Sequence, residues 1–124
     1  MEFMLYAAAT LTVVVGIAHS YLGERYLLMR LLRSGQLAGV FARPEFAART
    51  LRFAWHVTSI AWFGLAAILF LLARPPVTPE ALGIVIGGTF LVHFAVALAG
   101  SRGKHLSWPV FLAIGLAAIY ATRM

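Results

Sequence analysis

Four apolar runs of membrane length leave this 124-residue chain few ways to fold. They cover residues 3–22, 53–73, 81–99 and 106–122, and about 20 apolar residues in a helix span the hydrocarbon core of a bilayer. Lipid cannot satisfy backbone N–H and C=O groups, so such a segment must bond them internally, which continuous apolar runs do as helices. The expected fold is therefore all-α: a polytopic membrane protein in one domain, residues 1–124, built as a four-helix bundle. Its helices are expected at about 3–33, 44–73, 80–99 and 107–122. The first run is too long for the apolar stretch of a secretory signal, and only Met1 and Glu2 precede it, with no basic residue. It is expected to stay as a helix.

Composition agrees. Hydrophobic residues make up 62% of the chain and charged residues 11%, against about a quarter charged in a soluble domain. There is no cysteine, which removes disulfides, thiolate metal sites and thiol redox chemistry. The net charge of +6 would raise nucleic-acid binding in a soluble protein. Here the basic residues sit in connections between apolar runs, so membrane orientation accounts for them and no nucleic-acid partner is expected. Arg25, Arg30, Arg33, Arg43, Arg49, Arg52, Arg102 and Lys104 fall on one side of the membrane, and only Arg74 and Arg123 on the other. The positive-inside bias then places both basic connections in the cytoplasm of a bacterial cell, with the chain in the inner membrane and both termini outside.

The connection between the first two runs is a basic amphipathic hairpin. Leu27, Leu28, Leu31 and Leu32 keep helical spacing between Arg25, Arg30 and Arg33, Gly35 is a helix stop, and Pro44 suits the first turn of the next helix. Anionic lipid headgroups are its expected partner. Thr78 followed by Pro79 reads as a cap and first turn, and Ser107 with Pro109 as another. Gly83 and Gly87 have the spacing that lets two membrane helices approach closely, and pairing of two copies is an option open to any bundle this small.

Chemistry centres on four histidines. An ionisable ring inside a membrane span is costly and marks a functional position by default. His19 ends the first run, His56 begins the second, His93 lies late in the third and His105 begins the fourth, all toward the basic side. At ~1.5 Å rise per residue, His19, His56 and His105 share one level and His93 lies roughly 5–10 Å deeper. Thr12, Gly16, His19, Gly23 and Tyr26 form a small and polar stripe on the first helix, matched by Arg52, His56, Ser59 and Phe63 on the second and by Thr89, His93 and Ala97 on the third.

Neutral imidazole binds transition metals, and histidines on facing helices hold haem iron. The leading expectation is thus a site for a transition-metal ion or b-type haem at the cytoplasmic end, suited to redox or electron transfer. Its ligands would be His19, His56 and His93, joined for a bare metal by His105 and Glu24. Glu24 stands ~140° around a regular helix from His19 and so is not an obvious co-ligand, but it could still reach across the membrane mouth to an arginine or to a histidine ring from another helix. Trp55, Trp62 and Trp108 could line a macrocycle or simply anchor the helix ends in lipid. Two other classes fit the same residues: a small transporter or proton-conducting bundle that titrates the buried histidines, and an assembly subunit without chemistry. Whether the chain is an enzyme is left open, but it has no Gly-rich phosphate loop or Gly-x-Ser-x-Gly motif, and four acids in all leave little scope for two-carboxylate catalysis.

Overall fold

A computed structural model describes all residues 1–124, and the chain is helical from end to end with no strand. Four helices follow in order: α1 (Glu2–Arg33), α2 (Pro44–Leu72), α3 (Pro79–Ser101) and α4 (Ser107–Arg123). The first three are long and apolar enough to cross a membrane, and α4 is apolar but only 17 residues long. Only 15 of the 124 residues are buried, while Phe3, Leu11, Ile17 and Leu116 are more than half exposed. Water-soluble monomers rarely expose apolar patches beyond roughly a few hundred Å². Lipid is the solvent that suits this surface.

Local chemistry sets the helix ends. Gly35 stops α1 with φ +72, a left-handed conformation that costs glycine little. Pro44 opens α2 in its first turn, and the Thr78 hydroxyl caps α3 by accepting from the Ala81 N–H at 3.1 Å. At α4 the expected Ser107 cap is not made. The His105 ring does the work instead: its Nδ1 accepts from the Ser107 N–H at 3.2 Å and lies 2.9 Å from the Ser107 hydroxyl.

The helices pack as a row, α1 on α2, α2 on α3 and α3 on α4, with no substantial α1–α4 interface. A closed four-helix bundle would bring the outer pair together, so the architecture is more open than the hydropathy pattern alone implies. Small residues allow each close approach. Gly16 lies against Phe63 between α1 and α2, and Gly64 against Thr89 between α2 and α3.

The expected glycine contact on α3 finds its partner in α4, where Gly83 meets Thr122 and Gly87 meets Ile119 and Gly115. A methyl at Gly87 would stand 2.5 Å from Ile119 Cγ1 and 2.7 Å from the Gly115 carbonyl oxygen, whereas one at Gly88 meets nothing within 4 Å. Gly87→Ala is expected to lower thermal stability in detergent by about 1–3 kcal/mol, the usual cost of overpacking. Gly88→Ala should be neutral or stabilising by up to ~1 kcal/mol through helix propensity. Equal melting curves for the two variants would refute this packing.

Candidate functional site

The polar stripes of α1 and α2 meet at the end of the molecule that carries the basic hairpin. From the deepest group outward, His19 Nδ1 lies 3.0 Å from Ser59 Oγ, and Ser59 Oγ lies 2.7 Å from Ser20 Oγ. Ser20 Oγ is 2.9 Å from His56 Nδ1, and His56 Nε2 is 3.0 Å from Glu24 Oε2. The other oxygen of Glu24 accepts from the Arg52 guanidinium. Five side chains from two helices thus form one unbroken chain of hydrogen bonds, His19–Ser59–Ser20–His56–Glu24, closed at its outer end by Arg52.

The regular helix is interrupted at this level. Residues Gly23–Leu28 are wound as a π-helix, whose i→i+5 bonds fit one extra residue into a turn. On a uniform α-helix Glu24 would face well away from the His19 stripe. Ser20 and Glu24, four residues apart on one face of α1, both reach His56, one on each ring nitrogen. Glu24 finds both its partners, Arg52 and His56, on another helix. At the same turn Gly23 is buried against the Trp55 indole, and Trp55 Nε1 donates to the His19 carbonyl at 2.9 Å.

Two tryptophans hold the deep end. The Trp55 ring stacks on His19 with centroids 4.4 Å apart and planes 5° from parallel, and Trp62 meets His19 edge-on at 4.9 Å. Their place in the sequence fitted lipid anchoring equally well; in the fold both are committed to His19. Ser59 is 1% exposed, so its hydroxyl does not have water as an alternative partner.

The other two histidines stand apart. His93 is buried against Phe90 and Phe111, with ring centroids 5.4 Å away in each case, and its Nε2 has no hydrogen-bond partner. No hydrogen bond or ring contact joins it to His19 or His56. His105 lies between Phe46 and Phe53 and is occupied by its local bond with Ser107. No three histidine or acidic side chains are grouped so that they could hold a metal ion. Both nitrogens of His56 and Nδ1 of His19 are already taken within the chain, so the metal or haem expectation gains no support from this arrangement.

Ser20 is the member of the chain that sequence reasoning passed over. A hydroxyl near the end of an apolar run, next to a histidine, needs a partner as much as the histidine does, and that was the available signal.

The fold and site thus define an all-helical protein with three helices able to cross a membrane and an acid–imidazole–hydroxyl chain at one end. Comparison with protein-family models, with curated proteins and with solved structures finds no match.

Proposed function

We propose that this chain is a small proton-handling membrane protein, in which the hydrogen-bonded chain loads a proton from the basic, cytoplasmic side onto His19 inside the membrane. The observation that carries this reading is the continuity from Glu24 to His19, with every link between 2.7 and 3.0 Å. The setting also favours a proton over a larger solute. None of the five main clefts is lined by His19, Ser20, Glu24, His56 or Ser59. A proton moves by exchange of hydrogen bonds and needs no cavity.

The step balances. His56, protonated on both nitrogens beside the Glu24 carboxylate, gives its Nδ1 proton to Ser20. Ser20 passes its own hydroxyl proton to Ser59, and Ser59 passes its own to His19 Nδ1. One positive charge thereby moves from His56 to His19 while the Arg52–Glu24 pair stays intact. Rotation of the two hydroxyls resets the chain. His19 is five residues before Glu24, so the chain from Glu24 to His19 spans roughly 7 Å along the helix axis at ~1.5 Å per residue. There the electron-rich face of Trp55 is the kind of surface that attracts a cation. Beyond His19, Thr10 and Thr12 bond only to their own backbone, at Tyr6 and Ala8, and carry the chain no further. The role is therefore loading and release of a charge within the membrane, as a proton-coupled transporter requires.

In the same reading α4 completes four spans in a bacterial inner membrane, with both termini outside and both basic connections in the cytoplasm. That topology gives the relay mouth access to cytoplasmic water and follows the eight-to-two distribution of basic residues.

Trp55 provides the test. With Trp62 and Trp108 replaced by phenylalanine, Trp55 fluorescence in lipid nanodiscs should be quenched as pH is lowered, because a charged His19 ring would lie stacked against the indole. His19→Gln should abolish that quenching while Trp55 emission itself is retained. Quenching that persists without His19, or no quenching in its presence, would overturn the reading.

A further inference from the structure

A second feature, independent of the relay, lies where the basic hairpin folds back on the α3–α4 connection. Leu32 near the end of α1, the first two turns of α2 and the stretch around Ser101 and Lys104 enclose a cavity of about 590 Å³. Arg43 and Arg49 line it from the start of α2 and Lys104 from the α3–α4 connection, and Glu45 is the one acid among the lining residues. Glu45 does not cancel them: its side chain is 91% exposed and its contact with Arg49 is a loose 3.7 Å.

The start of α2 adds to the same potential. Arg43 offers no side-chain cap, Pro44 has no N–H, and the first backbone bond of the helix is Ala47 to the Arg43 carbonyl at 3.0 Å. The amides of Glu45 and Phe46 therefore lie free at the positive end of a 29-residue helix. Cationic side chains and free amides converging on one space are what binds a phosphate group. The Arg43 guanidinium lies 4.7 Å over the Phe46 ring. The volume is in the range of pockets that enclose a whole organic molecule, so a phosphate ester fits better than a bare ion.

We propose that this cavity is a binding site for one phosphate ester, a phospholipid headgroup or a soluble phosphate compound, held by Arg43, Arg49 and Lys104. The level of the cavity, at the polar end of three apolar helices, is where headgroups of the inner leaflet lie. The apolar wall at Leu32 and Leu37 would face the glycerol and the first carbons of a lipid tail.

The test uses the full chain in an uncharged maltoside detergent, titrated by calorimetry with short-chain phosphatidylglycerol, short-chain phosphatidylcholine and glycerol 3-phosphate. One saturable site per chain is expected, and Arg43→Gln/Arg49→Gln should weaken it by about tenfold or more, the effect of losing charge-assisted hydrogen bonds. Arg30→Gln/Arg33→Gln removes equal charge from the same hairpin but in a different cleft, and should leave binding within about twofold. Binding of either phospholipid without glycerol 3-phosphate supports a lipid ligand; binding of glycerol 3-phosphate supports a site that reads the phosphate ester alone. No saturable binding by any of the three would overturn the proposal. So would an equal loss in both double variants, which would mean diffuse attraction to the basic hairpin. Circular dichroism of each variant checks that the helices are intact.

Discussion

Ser59→Ala is expected to slow proton delivery to His19 by more than about tenfold. Ser59 is the one link shared by His19 and the rest of the chain, bonded to His19 Nδ1 on one side and Ser20 on the other. Its side chain is fully buried, so water cannot take its place without opening the α1–α2 interface. Each ~1.4 kcal/mol added to a barrier slows a step tenfold, and a buried group left without its partner costs about 1–3 kcal/mol. A pH jump in a stopped-flow instrument, read by Trp55 quenching, measures the rate. Ser59→Thr keeps the hydroxyl and should restore most of it. If alanine and threonine behave alike, the hydroxyl is not a conductor and Ser59 serves only to pack.

The second large effect is expected at Gly23. A side chain there would run into the Trp55 indole, which is held from the other side by its stack on His19 and its bond to the His19 carbonyl. Gly23→Val should cost about 1–3 kcal/mol in thermal unfolding through overpacking. It should also remove the pH-dependent quenching, because Trp55 can no longer lie flat on the imidazole. Gly39→Ala, at a glycine with open space around it, is the matched control and should change neither quantity. Stability lost without loss of quenching would show that the Trp55–His19 stack does not depend on this contact.

Gly23 and the outer end of the chain, Glu24, both lie in the π-helical turn at Gly23–Leu28. Wider turns of this kind cost backbone geometry and recur where function needs a side chain re-aimed. Here the turn holds both Glu24, the partner of His56, and Gly23, whose missing side chain leaves room for Trp55. Sequence alone could not show it, because hydrophobic periodicity assumes 100° per residue and a one-residue insertion leaves no compositional mark. The regular-helix position of Glu24 left a partner on another helix open, while Ser20 and Glu24, four residues apart, could share one ring on any helix.

Other parts were legible for plain physical reasons. The apolar runs, Thr78 before Pro79, and Gly35 after a basic helix end each reflect local chemistry, and local chemistry decided them. The facing stripes of α1 and α2 were readable too, and Gly16 against Phe63 and His19 against Ser59 are their contacts. His93 was not readable in the same way. It shares the basic half of the helices with the others, but depth does not fix the direction of a ring, and packing turns it toward Phe90 and Phe111. The order of the helices as a row was likewise invisible, since hydropathy gives the length of each span and says nothing of which neighbours touch.

The ring nitrogens of His19 and His56 offer the most direct test of the relay. In ¹⁵N-histidine-labelled protein in bilayers, solid-state NMR resolves Nδ1 and Nε2 and reports the hydrogen bond of each. Ser59 touches His19 and Ser20 but not His56. If the five groups act as one chain, Ser59→Ala must shift the Nδ1 resonances of both His19 and His56 and leave those of His93 and His105 in place. A shift confined to His19, with His56 unmoved, would contradict the chain and the proton-loading function built on it.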